Sequence, residues 1–344
     1  ILLNSDGNTV PVAPEPAPQP DPQPVPVPAP QPDPQPVRPA TTPQVPSYIS
    51  LPSALGNFSS AIQEMLSDSV RVQDRAIFAY GYHSEERYHT AGDFARYGYN
   101  FTSKSNGWML GGRWQLAVSP WQQITVGAGV SKGSLSVKPS AADGDSRTAF
   151  DTLSINSLLR WQHRDGWWLE MPAGYTRFSG TVHTGLRGGV ASPKAGSWTA
   201  GLDAGKRWQS ATQSITPLLG IRWQYLNIRP FSDEDQAQVR YRIQRNPDFS
   251  AGAGYRLDLG NLTAGVDLRL IHRPGGGSQA IISDGLTSSS FSAGRGGDSV
   301  QLKTRAALRL TENTTLTTGM QYQTRLQKEG IDDWNILSGL EVSF

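Results

Sequence analysis

Residues 300–310 read Val300-Gln301-Leu302-Lys303-Thr304-Arg305-Ala306-Ala307-Leu308-Arg309-Leu310. Val300, Leu302, Thr304, Ala306, Leu308 and Leu310 fall on one face, opposite Gln301, Lys303, Arg305, Ala307 and Arg309. Successive side chains of a strand point to opposite faces, so this segment offers one face to hydrocarbon and the other to water. The pattern recurs in 152–162, where Leu153, Ile155, Leu159 and Trp161 oppose Thr152, Asn156 and Arg160, and in 215–225. Strands of soluble sheets average five or six residues. Runs of ten or more with Trp and Tyr near their ends suit strands that cross a bilayer at a tilt.

Twelve such strands fit between Asp74 and the chain end, at about 75–84, 97–118, 122–138, 148–163, 167–181, 195–210, 214–231, 238–258, 261–274, 298–311, 314–326 and 333–344. The connections alternate. Those at Ser119-Pro120, Asp165-Gly166, Ala211-Thr212, Gly260-Asn261 and Glu312-Asn313 are tight, and those near 85–96, 139–147, 182–194, 232–237, 275–297 and 327–332 are longer. Short turns on one side and long loops on the other are the rhythm of an outer-membrane barrel. An even strand number returns both ends to the short-turn side. The expected fold is therefore all-β, a closed 12-stranded antiparallel transmembrane β-barrel.

Composition agrees. The 344 residues are 17% charged and 37% apolar, with ten Trp and no Cys. No apolar run approaches the roughly 18 residues of a membrane helix. A net charge of +2 gives no argument for nucleic acid. The absence of Cys removes disulfides, zinc-thiolate sites and thiol nucleophiles together. No initiator Met or apolar export signal stands at Ile1, so a longer polypeptide with its signal upstream is expected.

Two further segments precede the strands. Of the 25 prolines, 17 lie in the first 52 positions, and Pro-Ala-Pro-Gln-Pro-Asp-Pro-Gln-Pro-Val occurs at 16–25 and again at 28–37. Such a run extends as polyproline II, and 36 residues at about 3.1 Å each reach on the order of 110 Å. It reads as a stiff spacer or as a Pro-rich ligand; the spacer is the favoured reading, since the repeat itself contains no Arg or Lys. Between Leu51 and Val72 the period becomes helical. Leu51, Leu55, Phe58, Ile62, Met65 and Leu66 form one stripe, and Ser53, Asn57, Ser60, Gln63, Glu64, Ser67 and Asp68 lie opposite. Pro52 suits the first turn of that helix.

The chain ends Trp334-Asn335-Ile336-Leu337-Ser338-Gly339-Leu340-Glu341-Val342-Ser343-Phe344, with Trp334, Ile336, Leu340, Val342 and Phe344 on one face. This is similar to the C-terminal signal by which outer-membrane β-proteins are recognised for insertion. With the spacer, the single helix and the twelve strands, the chain from about residue 47 resembles the translocator domain of monomeric autotransporters (type V secretion). The resemblance implies three parts: 1–46 as the end of a passenger plus linker, 47–73 as a pore helix threaded through the lumen, and 74–344 as the barrel. It implies export of an N-terminal passenger and its anchoring at the cell surface, with linker and passenger extracellular. The implied partners are the passenger itself, the β-barrel assembly machinery, periplasmic chaperones, lipids and lipopolysaccharide, around a monomer without cofactor or metal. A free-standing outer-membrane pore or adhesin with a helical plug is the alternative, although a pore has little use for a long external rod.

On the helix, Leu55, Asn57, Phe58, Ile62, Glu64 and Asp68 are the expected lumen contacts. The expected wall comprises Arg113, Arg160, Glu170, Arg207, Arg222, Arg242, Arg256, Arg269 and Arg305, with Arg240, Lys303 and Arg309 beside them and few acids against them. Glu64 and Asp68, one turn apart, would pair with this basic wall, weakly if the pore is hydrated. Lumen-facing glycines such as Gly111, Gly129, Gly201, Gly205, Gly252 and Gly254 would admit the helix backbone or relieve sheet strain.

Catalytic readings fare poorly. The five His are scattered without metal-ligand spacing. Gly-Asp-Ser at 144–146 and 297–299 falls in outer loops, where such turns are common. Self-cleavage within the pore helix, known in related domains, would use an Asn or acidic lumen residues. Here Asn57 precedes Phe58 rather than a second Asn.

Overall fold

The structure is a computed structural model, and the residues described are 42–69, 75–90, 99–141, 144–274, 277–293 and 297–344. The Pro-rich segment up to residue 41, the expected helix end at 70–72 and parts of three long loops lie outside them.

One helix, α1 (Val45–Ser69), precedes twelve barrel strands. These are β1 (Ala76–His89), β2 (Asn100–Ser119), β3 (Gln122–Ser140), β4 (Ser146–His163), β5 (Trp167–Thr184), β6 (Lys194–Lys206), β7 (Gln213–Ile228), β8 (Asp248–Asp258), β9 (Leu262–His272), β10 (Ser299–Arg309), β11 (Thr314–Arg325) and β12 (Gly330–Ser343). Each pairs antiparallel with the next, and β1 pairs with β12 from Ala76↔Ser343 to His89↔Gly330, which closes the barrel. Closure satisfies every edge, the condition for strands in hydrocarbon. Alternation sorts the side chains as the sequence indicates: Ile155, Leu153, Trp198, Leu219 and Leu268 are exposed on the outer face, whereas Thr152, Asn156 and Arg160 are buried inside. The tight turns hold glycine where a left-handed backbone is needed, at Gly166 (φ +93°) and Gly260 (φ +83°).

Three boundaries differ from the sequence reading. The expected strand 238–258 is two strands: β8 begins only at Asp248, directly after Asn246-Pro247. Pro247 has no N–H to give a ladder, and Asn-Pro is a turn signal. The detached piece, Gln238–Arg242, joins Phe231–Ser232, Ser278–Ser283 and Ser288–Ala293 in a separate four-stranded antiparallel sheet above the long-loop mouth. Next, β1 continues to His89 instead of stopping near residue 84, because its alternation persists with charged Glu85 and Arg87 outward and buried Glu86 and Tyr88 inward. Last, α1 starts at Val45, so Pro52 sits inside it and not in its first turn.

Candidate functional site

Helix α1 runs down the lumen, and both of its faces are covered. Leu51, Leu55, Phe58, Ile62, Met65 and Leu66 are buried, as are Ser47, Ser53, Ser59, Gln63 and Ser67 on the polar side. The N-terminal end lies at the long-loop mouth. There Val45, Tyr48 and Ile49 pack with Val182, Val190, Val239 and Ala280, and the Tyr48 ring meets Phe231 edge-on at 5.3 Å. Proline inside a helix orphans the carbonyl four residues earlier. For Pro52 that group is Tyr48 O, and the Tyr241 hydroxyl of the outer sheet donates to it at 2.9 Å.

Midway, Leu55, Phe58 and Ile62 belong to one core with Phe78, Met109, Phe150 and Phe178 of the wall; Phe58 and Phe178 meet edge-on at 5.7 Å. Gln224 Nε2 donates to Gly56 O at 2.7 Å. A Cβ on Gly56 would come within 2.7 Å of Gln224 Oε1, so a larger residue would displace the end of that side chain. Asn57 Nδ2 donates to Glu86 Oε1 at 2.8 Å.

Near the short-turn end the contacts become ionic. Lys303 Nζ donates to Glu64 Oε2 at 2.7 Å and lies 3.6 Å from Asp68 Oδ2. Arg305 Nη2 is 3.5 Å from Asp68 Oδ1 and also pairs with Asp267. Below the helix end lies a cavity of about 400 Å³ lined by, among others, Asp68, Arg207, Arg256, Asp258, Arg305 and Arg309.

Of the expected wall, Arg113, Arg160, Glu170, Arg222, Arg269 and Arg305 face the lumen, and Arg207 and Arg256 face the cavity. Arg242 does not, nor does Arg240: both stand in the outer sheet, on the piece that Pro247 separates from the barrel. The wall is also less one-sided than its arginines suggest. Arg160 Nη1 donates to Glu170 at 3.1 Å while stacking over Trp168, and Arg222 donates two hydrogen bonds to Asp203, at 3.0 and 2.6 Å.

The acid that sequence reading overlooked is Glu341. It is 1% exposed and accepts from Arg113 Nη2 (2.6 Å), the Tyr80 hydroxyl (2.5 Å) and Thr317 Oγ1 (2.8 Å). These partners lie on β2, β1 and β11, so one carboxylate ties the strands on both sides of the closing seam. Its alternation with Leu340 and Val342 had already placed it inward. Glu86 and Asp333 are further lumen acids absent from that expectation, because they lie where strands extend past the apolar band.

Lumen glycines serve mostly neighbouring wall residues rather than the helix backbone. A Cβ on Gly111 would collide with Phe78, and one on Gly205 with Trp168. On the terminal strand, Ile336, Leu340, Val342 and Phe344 are exposed on the outer face with Trp334 beside them. No cluster of His, Cys, Asp and Glu suited to a metal occurs among the described residues. Ser146 and Ser299 of the Gly-Asp-Ser triplets are buried, and Ser47 of α1 donates to Ser146 Oγ at 2.8 Å.

Residues 77–321 match the family model of the autotransporter β-domain. The chain belongs to that family. Its fold is similar to the transport unit of the autotransporter AIDA-I from Escherichia coli, with a TM-score of 0.63, 16% identity, and 84% of this chain and 99% of that one covered. It is also similar to the translocator domain of NalP from Neisseria meningitidis (TM-score 0.62, 12% identity, coverage 85% and 96%) and to the β-domain of the Bordetella autotransporter BrkA (0.52, 12%, 79% and 100%). No curated protein matches the sequence. The autotransporter β-domain described here is an outer-membrane translocator for its own passenger.

Proposed function

We propose that α1 is the last part of the exported polypeptide and remains in the lumen as plug and tether. The direction of the helix carries this reading. Its first residues lie among the long loops, so the chain upstream of Thr42 emerges on the extracellular side, while Asp68 lies at the short-turn end near both barrel termini. A Cys-free chain allows a direct test. Thr42→Cys should react with a membrane-impermeant maleimide on intact cells, and Ser210→Cys in a short turn should not. The reverse labelling would overturn the proposal.

The passenger stays joined on this reading. Asn57 precedes Phe58 and not a second Asn, and its Nδ2 serves a lumen contact with Glu86 at 2.8 Å. Outer membranes should contain the uncut chain; a barrel fragment beginning at Phe58 would refute the tether. We further propose that assembly machinery reads the terminal strand through Phe344, which is 70% exposed and makes its backbone bond to Arg75 O. Deleting it should lower the yield of inserted barrel and leave already folded protein as heat-resistant as before.

A further inference from the structure

The outer faces of the two barrel walls differ in charge. On β4, β5 and β6 the outward residues 153–161, 167–175 and 196–204 carry no charge. From Trp167 to Arg177 is ten residues, about 33 Å of strand at roughly 3.3 Å each and about 25 Å across a membrane at a 40° tilt, the height of an outer-membrane apolar band. An aromatic row closes that band on the outer side, where Tyr175, Trp198 and Tyr225 are register neighbours.

Immediately beyond this row stand Lys132, Arg177, Lys194 and Arg229, with Lys138 and Arg147 farther out, all exposed. Register brings them together. Leu153 separates Lys132 from Arg177; Arg177 opposes Gly196, which puts Lys194 diagonal to it; and Arg229 N donates to Lys194 O at 2.9 Å. None of the six has an ion pair or side-chain hydrogen bond with a described residue. Asp151, opposite Ser134 and Ser179, is the described acid among the inner four, and Asp145 stands farther out beside Arg147.

At the same height on the other wall, strand cations are matched. Arg325 pairs with Asp332, and Lys104 and Arg87 share Glu85. Four cations at the level of lipid headgroups, unmatched among the described residues and standing over an aromatic row and apolar strands, call for an anionic lipid rather than a soluble ion. We infer that the outer face of β3–β7 binds a bis-phosphorylated glycolipid of the outer leaflet, its acyl chains on the apolar strands and its phosphates between Lys132, Arg177, Lys194 and Arg229. This rests on the outer-membrane placement and not on the plug. Charge-assisted bonds from Lys and Arg to phosphate supply the affinity, and it should fall with salt.

The test is binding of diphosphoryl lipid A to the purified full chain in detergent by native mass spectrometry, with heat-modifiable migration to confirm folding of each protein. Lys132→Gln/Arg177→Gln/Lys194→Gln/Arg229→Gln should bind at least tenfold more weakly. Monophosphoryl lipid A should bind the wild type more weakly than the diphosphoryl form. Asp151→Asn, which removes the acid nearest Arg177 and Lys132, should bind severalfold more tightly, and this gain does not depend on a fragile quadruple variant. Arg164→Gln/Lys206→Gln on the opposite rim should bind like wild type. The inference is overturned if the quadruple variant binds as well as wild type, if the rim control loses as much, or if millimolar inorganic phosphate displaces the lipid, which would mark a free-anion site.

Discussion

At the outer mouth, α1 presses Val45, Tyr48 and Ile49 onto an extracellular sheet, whereas at the inner mouth it presents Glu64 and Asp68 to Lys303 and Arg305. The outer contact is mainly apolar, with the Tyr48 hydroxyl donating to Asp233 at 3.0 Å; the inner one is mainly electrostatic. Apolar burial responds little to ionic strength, and exposed ion pairs respond strongly. Lys303, however, is only 4% exposed, so its pair with Glu64 belongs with buried bridges, where losing one partner costs far more than at a surface. This revises the sequence-based expectation of weak, hydrated pairs. The helix is thus held at both ends by unlike forces, and its middle is packed against wall aromatics.

Removing residues 42–69 takes away both holds and gives the largest effect. Single-channel recording in planar bilayers should show a many-fold rise in conductance, since a helix about 10 Å across fills most of a twelve-stranded lumen. The open pore should prefer anions only mildly. Most wall arginines already face an acid, and Lys303 is the cation that loses both of its partners. Unchanged conductance would dispose of the plug, and cation preference would mean that the strand faces are misassigned.

Truncating the packed part comes next. Phe58→Ala should cost about 3–5 kcal/mol of helix docking, the usual range for a buried aromatic, and appear as frequent channel openings that high salt does not increase. Neutralising the inner end with Glu64→Gln and Asp68→Asn should cost about 3 kcal/mol, because buried Lys303 loses both of the carboxylates it pairs with. Adding Lys303→Met should recover much of that loss. If the double variant costs no more than a surface pair, under about 1 kcal/mol, the inner end is hydrated after all and the contrast between the two ends weakens.

Much of this was legible in the sequence because hydrocarbon imposes a strict period of two. Val300 to Leu310 reads its two faces without any structure, and so does the terminal strand from Trp334 to Phe344. The pore-helix acids were legible from spacing alone. What escaped lies above the membrane, where the outward face no longer needs to be apolar. Glu85 and Arg87 look like loop residues although they continue β1, and Gln238–Arg242 looks like barrel although it pairs with Ser278–Ser283. Pro247 was the available signal for that break. Glu341 escaped for a different reason: its neighbours Leu340 and Val342 read so clearly as a lipid face that the residue between them was not asked what it met. The partner of an inward charge depends on strand register, and register is set across the sheet, beyond what one segment's pattern contains.

The smallest effect sharpens the outer end. Gln44, just before α1, donates to Asp235 Oδ2 at 2.8 Å, and Asp235 is also bound by both terminal nitrogens of Arg187. This small polar clip adds to the apolar hold. The hydrogen bond from Arg187 keeps the Asp235 carboxyl low, at about 2, against about 3.9 for an unperturbed Asp. A carboxylate whose folded value is depressed contributes its stability in full above the unfolded value and loses it as pH falls towards the folded one. The clip should therefore hold at pH 5 and weaken between about pH 4 and pH 2. Arg187 and Asp235 are both over 40% exposed, so the contribution is screened and small. Opening frequency at pH 3 relative to pH 5 should rise slightly less for wild type than for Arg187→Gln, in which Gln44 still meets Asp235 but the carboxyl, freed of Arg187, protonates nearer pH 4, and 0.5 M salt should shrink the difference, since screening there reaches about 4 Å. An equal acid response in the two proteins would mean that the clip contributes nothing, and that the outer end is held by Tyr48 and its apolar neighbours alone.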